Sequence, residues 1–432
     1  MKIYWLFFIV EGLLLQVMQN SYSIEIVLVL NFVILIVVGI KECETKNEQF
    51  VVFCAIIFRI IFLVLDVYFP QLNYNFQSGG DSVSFQRRAV IFSKTLNWGS
   101  ENLYPETLGF VYYFFGPHQA IGELFNLSLS VQAIIFFKRL LSLIDMSYKN
   151  KFWAFLFFSL APNFAMMSPI ILRETIIILL ITASLYYFVR WWTEGLFFDY
   201  VISVALPAVA SFFHSGAIAL SIGYLIVFVF YDRKKEKFVF GGRTFLTAIV
   251  TGVVAVSVYN VIGEAIFYKF ANLEEIEDVG RQVSSFARGG SSYLIDQDNS
   301  SILQMLLNTP IRVFYFLSSP VPWQWRGLVD VLSFFLCSSI YLYAIWMGIR
   351  VMIKRERTDS HPRDFICVLF LFVISCSLLF AWGVSNAGTA LRHREKFFSV
   401  FVLLLFYARD NLRDRYRSSS IINLNFNAIE NS

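Results

Sequence analysis

Long apolar runs dominate this chain, and short polar segments separate them. Runs long enough to cross a bilayer recur from end to end, and a spanning helix needs about 20 apolar residues. The pattern therefore predicts an all-α, polytopic integral membrane protein with about 12 transmembrane helices. Their expected positions are 3–18, 22–40, 50–69, 118–137, 152–168, 174–190, 198–213, 215–231, 244–263, 328–348, 365–383 and 396–408.

The composition agrees with a membrane environment. Hydrophobic residues make up 57% of the 432 positions, and 48 are Phe, which exceeds what a soluble core needs. The first run is interrupted by Glu11 and lacks a small-residue cleavage site, which favours a retained span over a signal peptide. We expect one polytopic membrane domain over 1–417, followed by a polar, Asn-rich tail at 418–432 that is predicted to be disordered.

The distribution of Lys and Arg predicts the orientation. The segments 232–243, 350–364 and 408–417 are strongly basic, and basic loops stay cytoplasmic. When the spans are placed so that these basic segments are cytoplasmic, both termini lie in the cytoplasm. The segments 70–117, 264–327 and 384–395 then lie outside. Within the two large outer loops, 106–117 is too short to cross and 301–320 must return to the outer side. Both are predicted to be re-entrant or interfacial, and such backbone is tolerated where it lines a cavity.

The distinctive chemistry lies in the predicted outer segments. The cytoplasmic loops carry neither a Gly-rich phosphate loop nor a nucleotide fingerprint, and nothing indicates nucleic acid as a partner. The outer motifs are GGDSVSFQRR, SPIILRE, SFFHSG, RQVSSFARGGSSYL and PIRVFYFLSSPVPWQWRG. They supply candidate substrate-binding residues, namely Arg87, Arg88, Arg173, Arg281, Arg288, Arg312, Trp323, Trp325 and Arg326. The simpler alternatives are arginines that reach lipid head groups and tryptophans of an interfacial belt.

The clearest anion-binding signal is the stretch SNAGTALRHREKFF, which carries Arg392, His393, Arg394 and Lys396. It is predicted to begin a helix, and helix N-termini favour anions. Two planar guanidinium groups suit bidentate phosphate contacts, whereas Glu395 can neutralise only one of the charges. The sequence therefore predicts an anion held at the outer mouth of the bundle.

Three outer residues are candidate proton acceptors. Asp81 ranks first because Gly79 and Gly80 suggest a shaped turn before it, His214 ranks second, and Glu174 is the third candidate. Glu174 also has a simpler role, since a carboxylate stabilises a helix N-terminus. The five cysteines fall in predicted spans or cytoplasmic loops, and no HExxH or DxD pair is present. We therefore expect neither a metal nor a cofactor.

A lipid-linked sugar phosphate fits these features, because its tail lies between helices while phosphate and sugars project outward. The motifs GGDSVSF, GPHQAIGELFN, APNFAMMSPIILRE, ARGGSSYL, PIRVFYFLSSPVPWQWRG and NAGTALRHREKF follow one another over 75–400. Their order resembles bacterial oligosaccharide repeat-unit polymerases of the O-antigen type. These enzymes act in surface-polysaccharide synthesis.

The resemblance implies a fold related to the C-type membrane glycosyltransferases (GT-C-like) and a site for undecaprenyl-diphosphate-linked oligosaccharide. It implies that Arg173, Arg288, Arg392 and Arg394 contact the diphosphate. It further implies an enzyme of the bacterial inner membrane, in contact with membrane lipid and with a chain-length regulator protein as a partner. Glycosyl transfer between two lipid-linked glycans is the expected reaction.

Three alternatives remain open from the sequence. A GT-C enzyme that uses a polyprenyl-phosphate sugar usually has acids after its first span, and Gln19 to Ser23 contain none. An O-antigen ligase would show nearly the same chemistry. A flippase or transporter would need ionisable residues within spans and an internal repeat. The spans contain Arg59, Asp66 and Glu123 but no visible repeat, and Arg59 could pair with Asp66 or with a lipid phosphate.

Overall fold

The computed structural model is all-helical apart from one small hairpin. It describes residues 1–17, 23–72, 80–99, 102–242, 244–253, 290–294, 297, 299, 301–353 and 360–412. Several sequence predictions lie outside the described residues, namely those for Arg281, Arg288, the second half of the span 244–263 and the tail 418–432.

Nine helices cover the first part of the described chain. They are α1 Lys2–Val17, α2 Ile24–Lys41, α3 Lys46–Tyr68, α4 Gly80–Thr95, α5 Tyr104–Phe115, α6 Gln119–Leu143, α7 Tyr148–Leu160, α8 Pro162–Met167 and α9 Glu174–Glu194.

The second part contains the hairpin and the remaining described helices. In order they are α10 Phe197–Ser211, the 3₁₀ turn Ser215–Ala217, α11 Ile218–Phe230, strands β1 Tyr231–Asp232 and β2 Lys237–Phe238, α12 Thr244–Val253, α13 Ile302–Ser318, the 3₁₀ turn Pro322–Gln324, α14 Leu328–Ile353, α15 Ser360–Trp382, α16 Ala387–Glu395 and α17 398–412. The antiparallel strands pair Tyr231 with Phe238 and Asp232 with Lys237.

Six of these helices are long and apolar enough to cross a membrane, which is consistent with a helical membrane protein. They are α2, α3, α6, α9, α14 and the part of α15 from Arg363 to Trp382. The expected number of 12 is not confirmed, because over the described residues the other predicted spans coincide with shorter helices. The predicted span 152–168, for example, is divided at Ala161 between α7 and α8.

Local signals explain where several helices begin and end. Thr45 caps α3: its Oγ1 accepts from the Glu48 amide at 3.2 Å, and Glu48 Oε2 accepts from the Thr45 amide at 3.3 Å. Pro162 opens α8, where its missing N–H is not needed. Gly195 ends α9 with a φ of +85°, a left-handed conformation that glycine adopts without strain.

The core surrounds α6, which is buried on nearly every face and packs against α2, α3, α5, α7 and α9. α17 is similarly enclosed, with apolar side chains buried along most of its length. A helix that is apolar all round belongs in the interior of a bundle. These helices hold α9 and the turn from α16 into α17, which carry the residues of the candidate site.

Candidate functional site

Two helix N-termini and the last turn of a third helix meet in one ion-pair cluster. Asp81 lies at the start of α4, Glu174 is the first residue of α9, and Arg392 lies in the last turn of α16. Arg392 Nη2 is 2.8 Å from Asp81 Oδ2 and 3.4 Å from Glu174 Oε1, and Lys396 Nζ is 3.5 Å from the same Glu174 oxygen. We call these four residues, together with Arg173, the Arg392 cluster.

Exposure divides the cluster into a fixed interior and an accessible rim. The side chains of Glu174 and Lys396 are 4% and 1% exposed, whereas that of Asp81 is 54% exposed. Arg392 lies between them at 18%. Glu174 therefore holds the two cations from inside, and Asp81 covers Arg392 from the solvent side.

Arg173 completes the cluster and brings α4 close to it. Its Nη1 donates to the Phe213 carbonyl at 3.1 Å, and its charge acts on Glu174. Its guanidinium carbon lies 5.8 Å from the centre of the Phe85 ring, and that of Arg88 lies 5.6 Å from the same ring. Arg88 therefore adjoins the cluster through Phe85.

The cluster contains more positive than negative groups. Arg173, Arg392 and Lys396 face the two carboxylates Asp81 and Glu174, so one positive charge remains when all five are ionised. Burial alone would lower the pKa of Arg392, but Glu174 and Asp81 more than offset this and hold it above its usual value. Arg392 is therefore a permanent cation at the edge of the protein interior.

The two predicted histidines lie together beside the cluster. The rings of His214 and His393 meet edge to face with centroids 4.5 Å apart, and Phe380 stacks on His214 at 5.1 Å. Lys396 Nζ lies 5.5 Å from the centre of the Phe380 ring. His214 Nδ1 accepts a hydrogen bond from the Gly216 amide at 3.2 Å.

Arg394 occupies a different place from the one expected for a diphosphate contact. It is fully buried, and its Nη1 donates to the carbonyls of Phe316 and Leu317 at 3.0 and 2.9 Å. Its Nη2 donates to Ser319 O at 2.7 Å and to Ser338 Oγ at 2.5 Å. Both terminal nitrogens therefore join the end of α13 to Phe334–Ser338, a π-helical segment within α14. This geometry favours a structural role for Arg394 over the predicted phosphate contact, because its terminal nitrogens already donate to groups of the protein.

The spacing along the helix contains the signal that separates the two arginines. Residues four apart share one face of a helix, whereas residues two apart do not. Arg392 and Lys396 are four apart and both reach Glu174, while Arg394 is two from each and points to α13.

The remaining predicted residues lie apart from the cluster contacts described above. Arg312 is buried, donates to Ser385 Oγ at 3.3 Å and stacks on Trp382. The others are closer to the surface: Trp323 donates to Tyr315 Oη, Trp325 donates to Pro320 O, Arg326 pairs with Asp330, and Arg87 is exposed on α4. The structure therefore brings together Asp81, Arg173, Glu174, Arg392 and Lys396, with Arg88, His214 and His393 nearby.

A second buried group, which the sequence did not reveal, surrounds Glu395. Its Oε2 accepts from Asn163 Nδ2 at 2.8 Å and from Tyr341 Oη at 3.5 Å, and both of these donors are neutral. Arg59, whose charge acts on Glu395, donates to the carbonyls of Ala55 and Ser159, both at 3.0 Å, and stacks on Phe164. The sequence analysis expected Asp66 or a lipid phosphate as the partner of Arg59, whereas the structure shows these two carbonyls.

Glu395 makes stability depend on pH. Burial raises its pKa from 4.5 to about 7 although Asn163 and Arg394 favour the ionised form. The folded protein therefore keeps a proton that the unfolded chain releases, and stability falls as pH rises from about 4.5 to about 7.

The variant Glu395→Gln tests this assignment. Across this pH window, we expect the melting temperature of the detergent-solubilised variant to change less with pH than that of the wild type. The surface variant Glu194→Gln is the control, and an unchanged slope in Glu395→Gln would refute the assignment.

The cluster offers cations for an anion and carboxylates for a proton. Among the described residues, no three His, Cys, Asp or Glu side chains are grouped so as to hold a metal ion. Comparison with protein-family models, curated proteins and solved structures finds no match. The functional argument therefore rests on the motifs of the sequence and on this geometry.

Proposed function

We propose that the chain is a glycosyltransferase that joins undecaprenyl-diphosphate-linked oligosaccharide repeat units during the synthesis of O-antigen or capsule. In this proposal it works at the outer face of the bacterial cytoplasmic membrane, with 12 spans and both termini inside. The Arg392 cluster binds the diphosphate of the donor.

The observation that carries the proposal is that Arg392 has a hydrogen-bond donor left for a ligand. Only its Nη2 takes part in the ion pairs, and its Nε has no acceptor within the described part of the chain. One of its two carboxylate partners is the exposed Asp81. A diphosphate oxygen can therefore replace Asp81 and form a bidentate pair with the guanidinium, a geometry in which charge-assisted hydrogen bonds are strongest.

The residues of the cluster divide the reaction between them. The acceptor hydroxyl oxygen forms a bond to the anomeric carbon of the donor sugar, and the bond from that carbon to the diphosphate oxygen breaks. The bonding electrons leave with the diphosphate, where Arg392, Lys396 and Arg173 stabilise the growing charge. Glu174 remains paired inside and fixes the two cations that it contacts.

Asp81 is the proposed base for the acceptor hydroxyl. In the structure its Oδ2 is occupied by the Arg392 guanidinium at 2.8 Å. Arrival of the diphosphate releases the carboxylate next to the reacting groups, so that substrate binding itself prepares the base. His214 ranks second, because one of its ring nitrogens already accepts the Gly216 amide.

The proposal is tested by deleting the gene and resolving surface glycans by length. We expect the ladder to collapse to single-repeat products and to return on complementation. An unchanged ladder would contradict the proposal. Full-length polymer retained on carrier lipid would instead identify a ligase, and a ladder with one altered sugar would identify a transferase that uses a monophosphate donor.

Asp81→Asn should separate catalysis from binding. We expect kcat to fall by about 100-fold or more, the usual effect of losing a general base. KM for the lipid diphosphate should stay equal or fall, because the neutral amide competes less for Arg392. Steady-state kinetics of the purified protein measure both. A large loss of kcat in His214→Gln together with a normal kcat in Asp81→Asn would assign the role of base to His214 instead of Asp81.

A lipid-linked glycan transporter is the second candidate, and one observation favours it. Asp66 and Glu123 are both buried between helices, and ionisable residues inside a membrane bundle commonly mark transport pathways. Purified protein in detergent micelles distinguishes the two functions. A polymerase lengthens glycans without a sealed compartment, whereas a transporter produces no new covalent product.

A further inference from the structure

A pair of buried carboxyl groups joins α3 to α6 apart from the Arg392 cluster. Asp66, on the last turn of α3, is 4% exposed, and Glu123, at the start of the second turn of α6, is 0% exposed. Glu123 lies within hydrogen-bonding reach of Asp66. Gln119 bridges them: its Nε2 donates to Asp66 Oδ2 at 3.1 Å and to Glu123 Oε1 at 2.8 Å.

This arrangement lacks one hydrogen. Glu123 Oε2 is buried and has no donor among the described residues. Two ionised carboxylates in contact would repel each other, and oxygen atoms that only accept cannot bond to one another. A single proton resolves both problems, because the protonated carboxyl donates to its ionised neighbour.

A second buried polar group lies beside the pair. The Tyr112 hydroxyl is buried, has no described partner and lies against Gly122, where a Cβ atom would be 2.6 Å from it. Its position places a second polar group beside Glu123, which acts on it electrostatically. Gln119 presents N–H groups to both acids, whereas a bound metal cation would require oxygen atoms there.

The described charged and titratable groups around the pair are two tyrosines, one arginine and one histidine. From α5 it is approached by Tyr112 and by Tyr104, which donates to Asn126 at 3.1 Å. Arg59, two turns away on α3, is engaged with the carbonyls of Ala55 and Ser159. His118, just before α6, is exposed and lies beside the half-buried Gln119, which provides a short route to the surface.

We propose that Asp66 and Glu123 share one exchangeable proton and form a proton-binding site between α3 and α6. The site is independent of the glycosyl transfer proposed above. A buried acid pair of this kind couples the packing of two central helices to the pH at the membrane surface. It also gives the bundle a carboxyl group whose reactivity can be measured without any glycan substrate.

The test uses dicyclohexylcarbodiimide, an apolar reagent that combines with protonated carboxyl groups in apolar surroundings. The acid adds across the carbodiimide, its proton passing to nitrogen, and rearrangement leaves a stable N-acylurea. In the full-length protein in detergent, we expect an adduct at Glu123 or Asp66, located by mass spectrometry and counted apart from any adduct at Glu395, which also keeps a proton. Labelling should slow as pH rises and should be equal in sodium and potassium salts.

Variants separate the proton site from a fixed structural contact. Glu123→Gln should keep the melting temperature, because its amide N–H replaces the shared proton, and should lose the adduct. Glu123→Ala should lower the melting temperature. Absence of labelling at both acids, labelling that does not change with pH, or protection by sodium alone would each overturn the proposal.

Discussion

We expect Arg392→Ala to reduce polymer synthesis by about 100-fold or more, while the amount of folded protein stays at the wild-type level. The loss follows because Arg392 is the cation that reaches the accessible rim of the cluster. Folding should survive because Glu174 keeps its second partner, Lys396, at 3.5 Å. The removed guanidinium also leaves an opening towards solvent, where water can satisfy Asp81.

Two further variants sharpen this result. Arg392→Lys keeps the charge but not the planar fork, so we expect intermediate activity with weakened binding of the lipid diphosphate. Lys94→Ala removes an exposed cation from the last turn of α4 and serves as the control with normal activity. The polymer ladder measures activity, and the melting temperature measures folding. Full-length polymer at wild-type yield in Arg392→Ala would refute the role of the cluster.

The second large effect concerns Arg394, whose loss should act on the fold. Arg394→Ala removes the side-chain donor of the buried Phe316 and Leu317 carbonyls, whereas the Ser319 carbonyl still accepts from the Ser338 hydroxyl at 2.8 Å. Each buried group left unsatisfied costs about 1–3 kcal/mol. We therefore expect a large fall in melting temperature and little accumulation of protein in the membrane.

Arg392 and Arg394 thus serve as controls for each other. Arg392→Ala should lose polymer with normal melting, whereas Arg394→Ala should lose both. Arg394→Lys, whose ammonium cannot reach all four acceptors, should melt between Arg394→Ala and the wild type. If Arg394→Ala melts normally and still makes no polymer, Arg394 is a substrate contact and the structural assignment fails.

Much of the fold follows from the hydrophobic pattern, and the exceptions have physical reasons. A long apolar run forms a helix because the bilayer leaves backbone groups no other partner, and this predicted α2, α3, α6, α9 and α14 well. The number of spans was less predictable. Apolar content does not show where a run will break, as it does at Ala161 before Pro162, or whether a short helix lies across the membrane.

The candidate site was predicted in part for a similar reason. Sequence chemistry identified Asp81, Glu174 and Arg392, which lie far apart in the chain and meet in the structure. It grouped Arg394 with Arg392 because both are cations near one helix end. The spacing of four places Arg392 and Lys396 on one face and Arg394 on another, but it does not show what each face contacts. The partners of Arg394 are mostly backbone carbonyls, which carry no sequence signal. The Glu395 and Glu123 contacts were missed because they depend on which helices pack together.

The most direct test of the proposed function uses purified protein in detergent, supplied only with undecaprenyl-diphosphate-linked repeat units. The account predicts products of increasing length and one released undecaprenyl diphosphate for each new bond, in the wild type but not in Arg392→Ala. Because no chain-length regulator is present, the lengths should spread broadly. A protein that melts normally yet lengthens no glycan would contradict the assignment as a polymerase.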